Sequence, residues 1–423
     1  MTEPQFKELD SFVSYAQKHF DLPLLAGCFA DERSDPAVPS RAVGLSQILG
    51  EVVQVGSFLQ LEEETKTPQW QRWIGYPERI SHDTFGYASN RMDPEQLRRA
   101  SRFINRKLKR GKAFEASKLH GLLVVSLDAN EQFCSDHRCC PECSSRELTC
   151  KDAQGKEVKK TQYYHRQVYA QLSGPRLSVI LDVEPMLPGE EECAAALRLL
   201  RRMRKTYGPR FFDVVVVDAW YANGPFLKTV VQELGWPVIA VLKQERYEIH
   251  QEALTLTQGK PTQVVKRDHR TVELWDVPSL RLSDAYTDSV RVVRVRETWT
   301  ERTRQGPTWK TLEKEQTWMW VVAGDLDAYD AAAIRDLGHL RWKIENNAFG
   351  QLTQHWHLTH CAHHKPVALL VLLWIKIIAF TLFHAFAILH GKLFRLGKVT
   401  LQELRKRIYR SLLCGWPIRC FSG

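Results

Sequence analysis

The sequence predicts an α/β protein: a mixed five-stranded sheet with helices, interrupted by an all-β insertion and preceded by a helical N-terminal region. Three observations predict it. The first is a set of strand-like runs, at Leu122 to Leu127 (LLVVSL), Tyr163 to Leu172, Leu177 to Val183, Val214 to Val217 (VVVV) and Pro237 to Leu242, of which LLVVSL and VVVV are short, apolar and β-branched. Continuous apolar character over four to eight residues is the mark of a strand covered on both faces. The second is helical sequence between the third and fourth runs and again between the fourth and fifth. The first of these helices starts after Pro188-Gly189 with Glu190, Glu191 and Glu192, acids that complement a helix N-terminus. The third is a change of texture from about Lys243 to Asp325. There Val264-Val265, Val272 to Trp275, Val290 to Val295 and Thr317 to Val322 are strand-like and separated by polar turns, including Gly306-Pro307, with no long helical pattern. Three strands in a meander, then helix, strand, helix, strand, is the order of a ribonuclease-H-like core.

Five regions follow from this reading. Residues 1–115 form a helical N-terminal region, and residues 116–243 the first part of the core. Residues 244–325 are the β-rich insertion, residues 326–396 the second part of the core, and residues 397–423 a basic C-terminal tail. A chain of 423 residues is long enough for two to four such units.

The last N-terminal helix carries a distinctive charge pattern. Eight basic residues and no acid lie between Arg98 and Lys112, and Arg98, Arg102 and Arg106 recur at helical spacing on one face. Leu97, Ile104 and Leu108 form an opposing apolar stripe. A stripe of one sign repels itself unless something anionic neutralises it, so these arginines are expected to face DNA. The plainer reading is a solvated surface helix.

Bulk composition supports a nucleic-acid partner without requiring one. Lys and Arg number 59 against 49 Asp and Glu, a formal charge of +10. With 44% hydrophobic and 26% charged residues the chain folds rather than staying disordered. Ten cysteines in a chain this long read as reduced thiols of a cytosolic protein, and no signal peptide opens the sequence. The stretch Pro366 to Leu389 is long enough to span a bilayer. Lys376 near its middle and His384 further on favour a buried core helix, and no membrane association is expected.

Asp128 and Asp218 each follow an apolar strand, and Glu345 lies on a predicted helix with Arg341 one turn before it. If the two strands are neighbours, both aspartates emerge at the carboxyl edge of the sheet, where α/β proteins bind ligands. Two strand-end aspartates and a helix glutamate supply the hard oxygens that two Mg²⁺ (or Mn²⁺) ions need for in-line phosphoryl transfer. Asp182, which also ends an apolar strand, is the rival for the first aspartate.

The segments DANEQFCS, DAWYANGPF and RWKIENNAFGQL resemble the three catalytic motifs of bacterial insertion-sequence DDE transposases, in particular the IS-four type. The resemblance runs from about Ile80 to Leu396. It implies Asp128, Asp218 and Glu345 as the metal-binding catalytic triad, with Tyr221 as an aromatic companion, and Arg341 as a DNA-phosphate contact. Two positions depart from it. Gly338 stands where the fullest family signature has Tyr, and Leu352 where it has Lys; Lys343, His339 and His355 are candidates to substitute.

Three further clusters stand out. Cys134, His137, Cys140 and Cys143, with Cys139, Cys150 and His165 nearby, contain a CxxC suited to a structural Zn²⁺. Ordinary reduced cysteines are the alternative. His355, His357, His360, His363 and His364 crowd the segment after Glu345, more in the manner of a surface than of a metal site. Among the tryptophans of the insertion, Trp299, flanked by Arg294, Arg296 and Arg302, is the candidate DNA contact.

The reading is a cytoplasmic, nucleoid-associated transposase. It would bind terminal inverted repeats and target DNA as a homodimer, and would catalyse metal-dependent cleavage and strand transfer. A non-catalytic DNA-binding protein of the same fold, a stand-alone nuclease and a membrane protein are the rivals.

Overall fold

The computed structural model describes residues 8–29, 31–152, 154–243, 248–267, 269–305, 308–391 and 399–413. The Gly306-Pro307 turn and the first residues of the tail lie outside them.

Seven helices open the chain: α1 (Glu8–Phe20), α2 (Leu22–Gly27), α3 (Ser40–Val53), α4 (Phe58–Thr65), α5 (Pro68–Ile74), α6 (His82–Ser89) and α7 (Pro94–Arg110). Their starts are written locally. Ser57, Thr67, Ser81 and Asp93 each cap a helix by accepting a backbone N–H two or three residues on, and Pro68 and Pro94 occupy first turns where a missing N–H costs nothing.

The sheet follows. Strands β1 (Val124–Ser135), β2 (Ser144–Lys151), β3 (Glu157–Ser173) and β4 (Val179–Pro185) precede α8 (Glu192–Tyr207). Then come β5 (Val214–Val217), α9 (Gly224–Leu227, running on as a π-helical segment Lys228–Glu233) and β6 (Val238–Val241). β1 pairs antiparallel with β3 and parallel with β5, β3 pairs with β4, and β5 pairs parallel with β6. The five strands expected from the sequence therefore lie in the order β4-β3-β1-β5-β6, the ribonuclease-H-like arrangement. β2 was not foreseen: it is the outer strand of a hairpin in which β1 and β3 run on past the core.

The insertion holds α10 (Glu248–Leu256), β7 (Gln263–Arg267), β8 (Arg270–Leu280), β9 (Val290–Gln305) and β10 (Thr308–Ala323). One expectation is corrected here: α10 is a helix in a region read as all-β. β10 pairs antiparallel with β6 from Trp320 to Ala323, so the insertion continues the core sheet to ten strands. The physical reason is the edge of β6. An apolar strand that would otherwise expose unpaired backbone groups is covered by the next available strand. A buried ion cluster locks the junction. Glu297 on β9, fully buried, accepts from Arg270 at 2.7 Å and from Arg335 at 2.5 Å, with His339 at 3.3 Å. These three partners hold its carboxyl down at about 2 despite burial. Beyond Thr298, β9 and β10 leave the sheet as a two-stranded ribbon, from Trp299–Lys314 to Gln305–Thr308, with Trp309 61% exposed.

The chain returns through α11 (Ala331–His339), a π-helical turn (Ile344–Phe349), α12 (Gly350–His355), α13 (Pro366–Leu389) and α14 (Leu401–Leu413). α13 is the apolar stretch. It is buried along most of its length, packed by α1, α3, α6 and α7 and by β4. Lys376 within it donates to Glu51 of α3 at 2.6 Å, so the ammonium is paired rather than stranded in the apolar core. Each fully buried Leu, Ile or Phe contributes on the order of 1.5–3 kcal/mol, which explains why the N-terminal helices wrap this one. They share one continuous core with the sheet face.

Part of the basic face of α7 is engaged within the fold. Arg98 is 13% exposed and pairs with Glu95 and, at 3.2 Å, with Asp182. Arg106 donates to the Thr206 carbonyl, and Lys109 donates to those of Arg210 and Phe211, all at or just after the C-terminal end of α8. Helix C-termini present unsatisfied carbonyls and partial negative charge, which is the anionic partner that this stripe found. Arg102 is half-buried on the same helix. The tail is likewise less free than expected: Arg405 of α14 is 2% exposed, donates to the carbonyls of Glu51, Val52 and His355, and lies over Trp356.

Candidate active site

Asp128 and Asp218 stand at one level of adjacent strands. The parallel ladder pairs Val124 with Val214, Val125 with Val215 and Ser126 with Val216, and the same offset carried on matches Asp128 to Asp218. Asp128 does not end its strand, as the sequence suggested. β1 continues to Ser135 against β3, but its parallel partner β5 stops at Val217. Asp128 therefore emerges where one neighbour has gone, at the carboxyl edge. Asp218 caps a short 3-10 turn, accepting the Trp220 N–H at 2.9 Å.

Glu345 enters from the other side of the chain. Its π-helical turn packs on β1 and β3, with Phe349 set edge-on to Tyr169 at 5.1 Å. The Ser126 hydroxyl, 3.3 Å from the Leu340 carbonyl, ties the sheet to the residue before Arg341. Arg341 is only 3% exposed. Its Nη1 donates to Glu345 at 2.6 Å and lies 3.7 Å from Asp128, and its guanidinium stacks on Trp342 at 3.8 Å. Its guanidinium thus faces two carboxylates and an indole.

A fourth carboxylate completes the group. Glu192, at the start of α8, is 9% exposed, accepts from the Tyr221 hydroxyl at 2.6 Å and pairs with Arg166 at 2.6 Å. Burial raises its carboxyl above the usual range, and Asp218 adds to that. The three acids of the EEE run look alike in sequence, and only the packing of α8 selects the third. Burial, then Glu192 and Glu345, push the Asp128 carboxyl up to about 7, with Arg341 opposing. Tyr221 is fully buried, so it supports Glu192 and presents no aromatic face to DNA. The exposed ring beside the site is Trp220, at 53%. The motif DAWYANGPF offered both aromatics, and its pattern did not say which would turn outward.

The rival Asp182 is buried at 2% exposure beneath Arg202, which binds both its oxygens at 2.9 and 3.1 Å. With Arg98 also beside it, it is a structural ion-pair centre. The two departures from the family signature are filled by core. A Cβ at Gly338 would lie 2.5 Å from the Trp320 indole nitrogen, and Leu352 is fully buried. Lys343 is half-buried, and burial lowers its ammonium pKa. Trp299 is half-buried on β9 with Arg270 over its ring at 4.1 Å.

Of the expected zinc set, the structure brings together Cys140 and Cys143 but neither Cys134 nor His137. His165 and His364 complete the group instead. Among the described residues this is the cluster whose ligand atoms all lie within 4.8 Å of one another, whereas Asp128 and Glu345 each face Arg341.

A ribonuclease-H-like sheet with an aspartate on its first strand, another just after its fourth, and a glutamate on a later helical turn packed on the first strand, defines the fold class of the polynucleotidyl transferases. The chain belongs to the transposase DDE domain family: that family's model matches residues 136–382, more than half of the chain, including Asp218 and Glu345 and beginning after Asp128. No curated protein matches it in sequence. Among solved structures, it is similar to the cryo-EM structure of a piggyBac transposase synaptic complex with hairpin DNA. The identity is 12% and the TM-score 0.43, over 96% of this chain and 80% of that one, a likeness too loose to carry an argument.

Proposed function

We propose that the protein is an active, metal-dependent DNA transposase of the cytoplasm, working as a homodimer on paired transposon ends, with Asp128, Asp218 and Glu345 as its catalytic carboxylates. The observation that carries this reading is the convergence of the three acids at one sheet edge, two by strand register and one through Arg341. The donor set is all carboxylate oxygen, which suits Mg²⁺ or Mn²⁺. Asp128 is half-buried, and burial with the nearby Glu192 and Glu345 raises its carboxyl to about 7 against the pull of Arg341. Asp128, Asp218 and Glu345 would together hold the divalent ions, which would supply the charge for phosphoryl transfer. When bound, such ions lower the pKa of a nucleophilic water and neutralise charge on the phosphate.

The chain's own residues do the rest. Arg341 holds Asp128 and Glu345 in place and offsets their repulsion. Arg166 and Tyr221 keep Glu192 oriented behind the site. Trp220, exposed at the rim, is placed to stack on a DNA base. The exposed Arg302 and Lys310 of the β9–β10 ribbon supply phosphate contacts.

The test is excision in cells. A donor plasmid carries a marker between the repeats that flank the gene, with wild type compared against Glu345→Gln. Excision by the wild type alone supports the reading. Excision by both removes Glu345 from the site. If neither excises while purified protein still binds the repeats, the non-catalytic DNA-binding reading replaces it.

A further inference from the structure

We propose that Cys140, Cys143, His165 and His364 bind one structural zinc ion, which clamps the extended β1–β3 hairpin to the segment following the Glu345 helix. The four side chains come from three separate places. Cys140 and Cys143 lie in the tight turn before β2, where the Cys143 N–H donates to the Cys140 carbonyl at 3.0 Å and the Cys140 N–H lies 3.3 Å from the Cys143 Sγ. His165 is on β3, 9% exposed. His364 immediately precedes α13, 221 residues beyond Cys143.

The distances between them are those of ligands around one small cation. Cys140 Sγ is 3.5 Å from Cys143 Sγ and 3.2 Å from His165 Nε2. Cys143 Sγ is 3.3 Å from His165 Nε2 and 3.7 Å from His364 Nε2. A tetrahedral zinc with bonds of about 2.3 Å to sulfur and about 2.0–2.1 Å to nitrogen separates its ligands by roughly 3.3–3.8 Å. Both histidines present the same ring nitrogen. Two thiolates and two neutral imidazoles cancel the charge of a divalent ion, which suits a half-buried position. Sulfur donors exclude Mg²⁺ and select zinc. On binding, each thiol gives up its proton to solvent and its sulfur lone pair to the ion, with no change of oxidation state. A Cys140–Cys143 disulfide would require sulfurs about 2.05 Å apart and would leave both histidines without a role.

The position gives the ion a structural purpose. Phe133 of β1 packs on the His364 ring at 4.7 Å, and Gln132 donates to the Leu369 carbonyl at 3.2 Å. Zinc would be the covalent-strength member of this seam. It fixes the strand that bears Asp128 against the chain that leaves Glu345 and enters α13.

The experiment uses the purified full-length protein. Metal analysis after gel filtration is expected to give one zinc per chain. Chelator-stripped protein reloaded with cobalt is expected to show the visible bands of a tetrahedral thiolate site. Cys143→Ser and His364→Ala should lose the metal, and trypsin should then cut at Arg138 several-fold faster; Cys134→Ser and His137→Ala should keep it. If the ligand variants do not fold, the wild-type cobalt spectrum decides alone. Absence of tetrahedral cobalt bands, full zinc content in Cys143→Ser, or a Cys140–Cys143 disulfide in the native protein would each overturn the assignment. None of these readouts depends on transposition, so failure here leaves the catalytic reading standing, and the reverse also holds.

Discussion

Arg341 donates to Glu345 at 2.6 Å from a position only 3% exposed. A guanidinium so placed, with Asp128 at 3.7 Å from the same nitrogen, stands where divalent charge belongs. Arg341→Ala should therefore destabilise the metal-free protein by about 1–3 kcal/mol, the worth of a charged hydrogen bond. Added Mg²⁺ should recover more stability in the variant than in the wild type. Denaturant melts with and without Mg²⁺ check this, and equal gains in the two proteins would refute the idea that Arg341 offsets the same charge.

Asp128 and Asp182 both follow apolar runs, but only one faces the catalytic edge. Asp128→Asn should reduce Mg²⁺-dependent nicking on the order of 10³-fold while the protein stays folded. Asp182→Asn breaks the Arg202 and Arg98 pairs and should cost about 3–5 kcal/mol of stability. Assayed below its melting temperature, it should still nick. Loss of nicking in a folded Asp182→Asn protein would return Asp182 to contention.

The imidazole of His384 is buried in α13 against Phe380 at 4.0 Å, and burial, then Arg405, push its pKa down to about 3. In the unfolded chain the same group titrates near 6.5. As pH falls below 6.5 the unfolded chain takes up a proton that the folded one refuses, so stability is lost progressively between pH 6.5 and 3. The contribution is about 2 kcal/mol between pH 8 and pH 5. His384→Phe should flatten that part of the stability profile. An unchanged acid slope would mean that His384 is not what titrates.

Arg98 is held inside the fold by Glu95 and Asp182, whereas Arg302 and Lys310 lie exposed on the ribbon. Arg98→Ala should lower the melting temperature and leave the salt dependence of DNA binding unchanged. Each of Arg302→Ala and Lys310→Ala should reduce the slope of log K against log salt by about 0.9, if each contacts one phosphate. Binding isotherms at several salt concentrations separate the two groups of residues. A reduced slope for Arg98→Ala alone would restore the DNA-facing reading of α7.

Trp220 and Tyr221 adjoin in sequence and differ completely in exposure. Trp220→Ala should weaken single-strand or end binding by about 1–3 kcal/mol, with little change in stability. Tyr221→Phe should affect catalysis through Glu192 and leave affinity intact. Band-shift and nicking assays on both variants distinguish these outcomes, and a Tyr221→Phe protein that loses affinity with normal turnover would reverse the roles.

The five core strands, their order and the buried character of α13 were legible in the sequence. Each is declared by a local signal: a β-branched run or a helical period. Such signals survive because burial on two faces demands apolar side chains at every position. What the sequence left undecided were partnerships. The basic stripe of α7 reads the same whether it meets phosphate or the carbonyl end of α8. Arg341 reads as a surface cation until the fold buries it beside two carboxylates. Gly338 and Leu352 read as losses until Trp320 and the core are seen to fill the space.

The cysteine cluster shows the division most clearly. The sequence by itself determined that Cys140 and Cys143 share a tight turn, because a CxxC spacing is a local property. It could not supply the other two ligands, and proximity in sequence suggested Cys134 and His137. Only the tertiary structure brought His165 and His364 to that turn, since antiparallel register sets the first and the packing of α13 against the sheet sets the second. Local propensity depends on neighbours along the chain, whereas a binding site depends on which distant surfaces must be buried together. That burial is decided by the whole core at once.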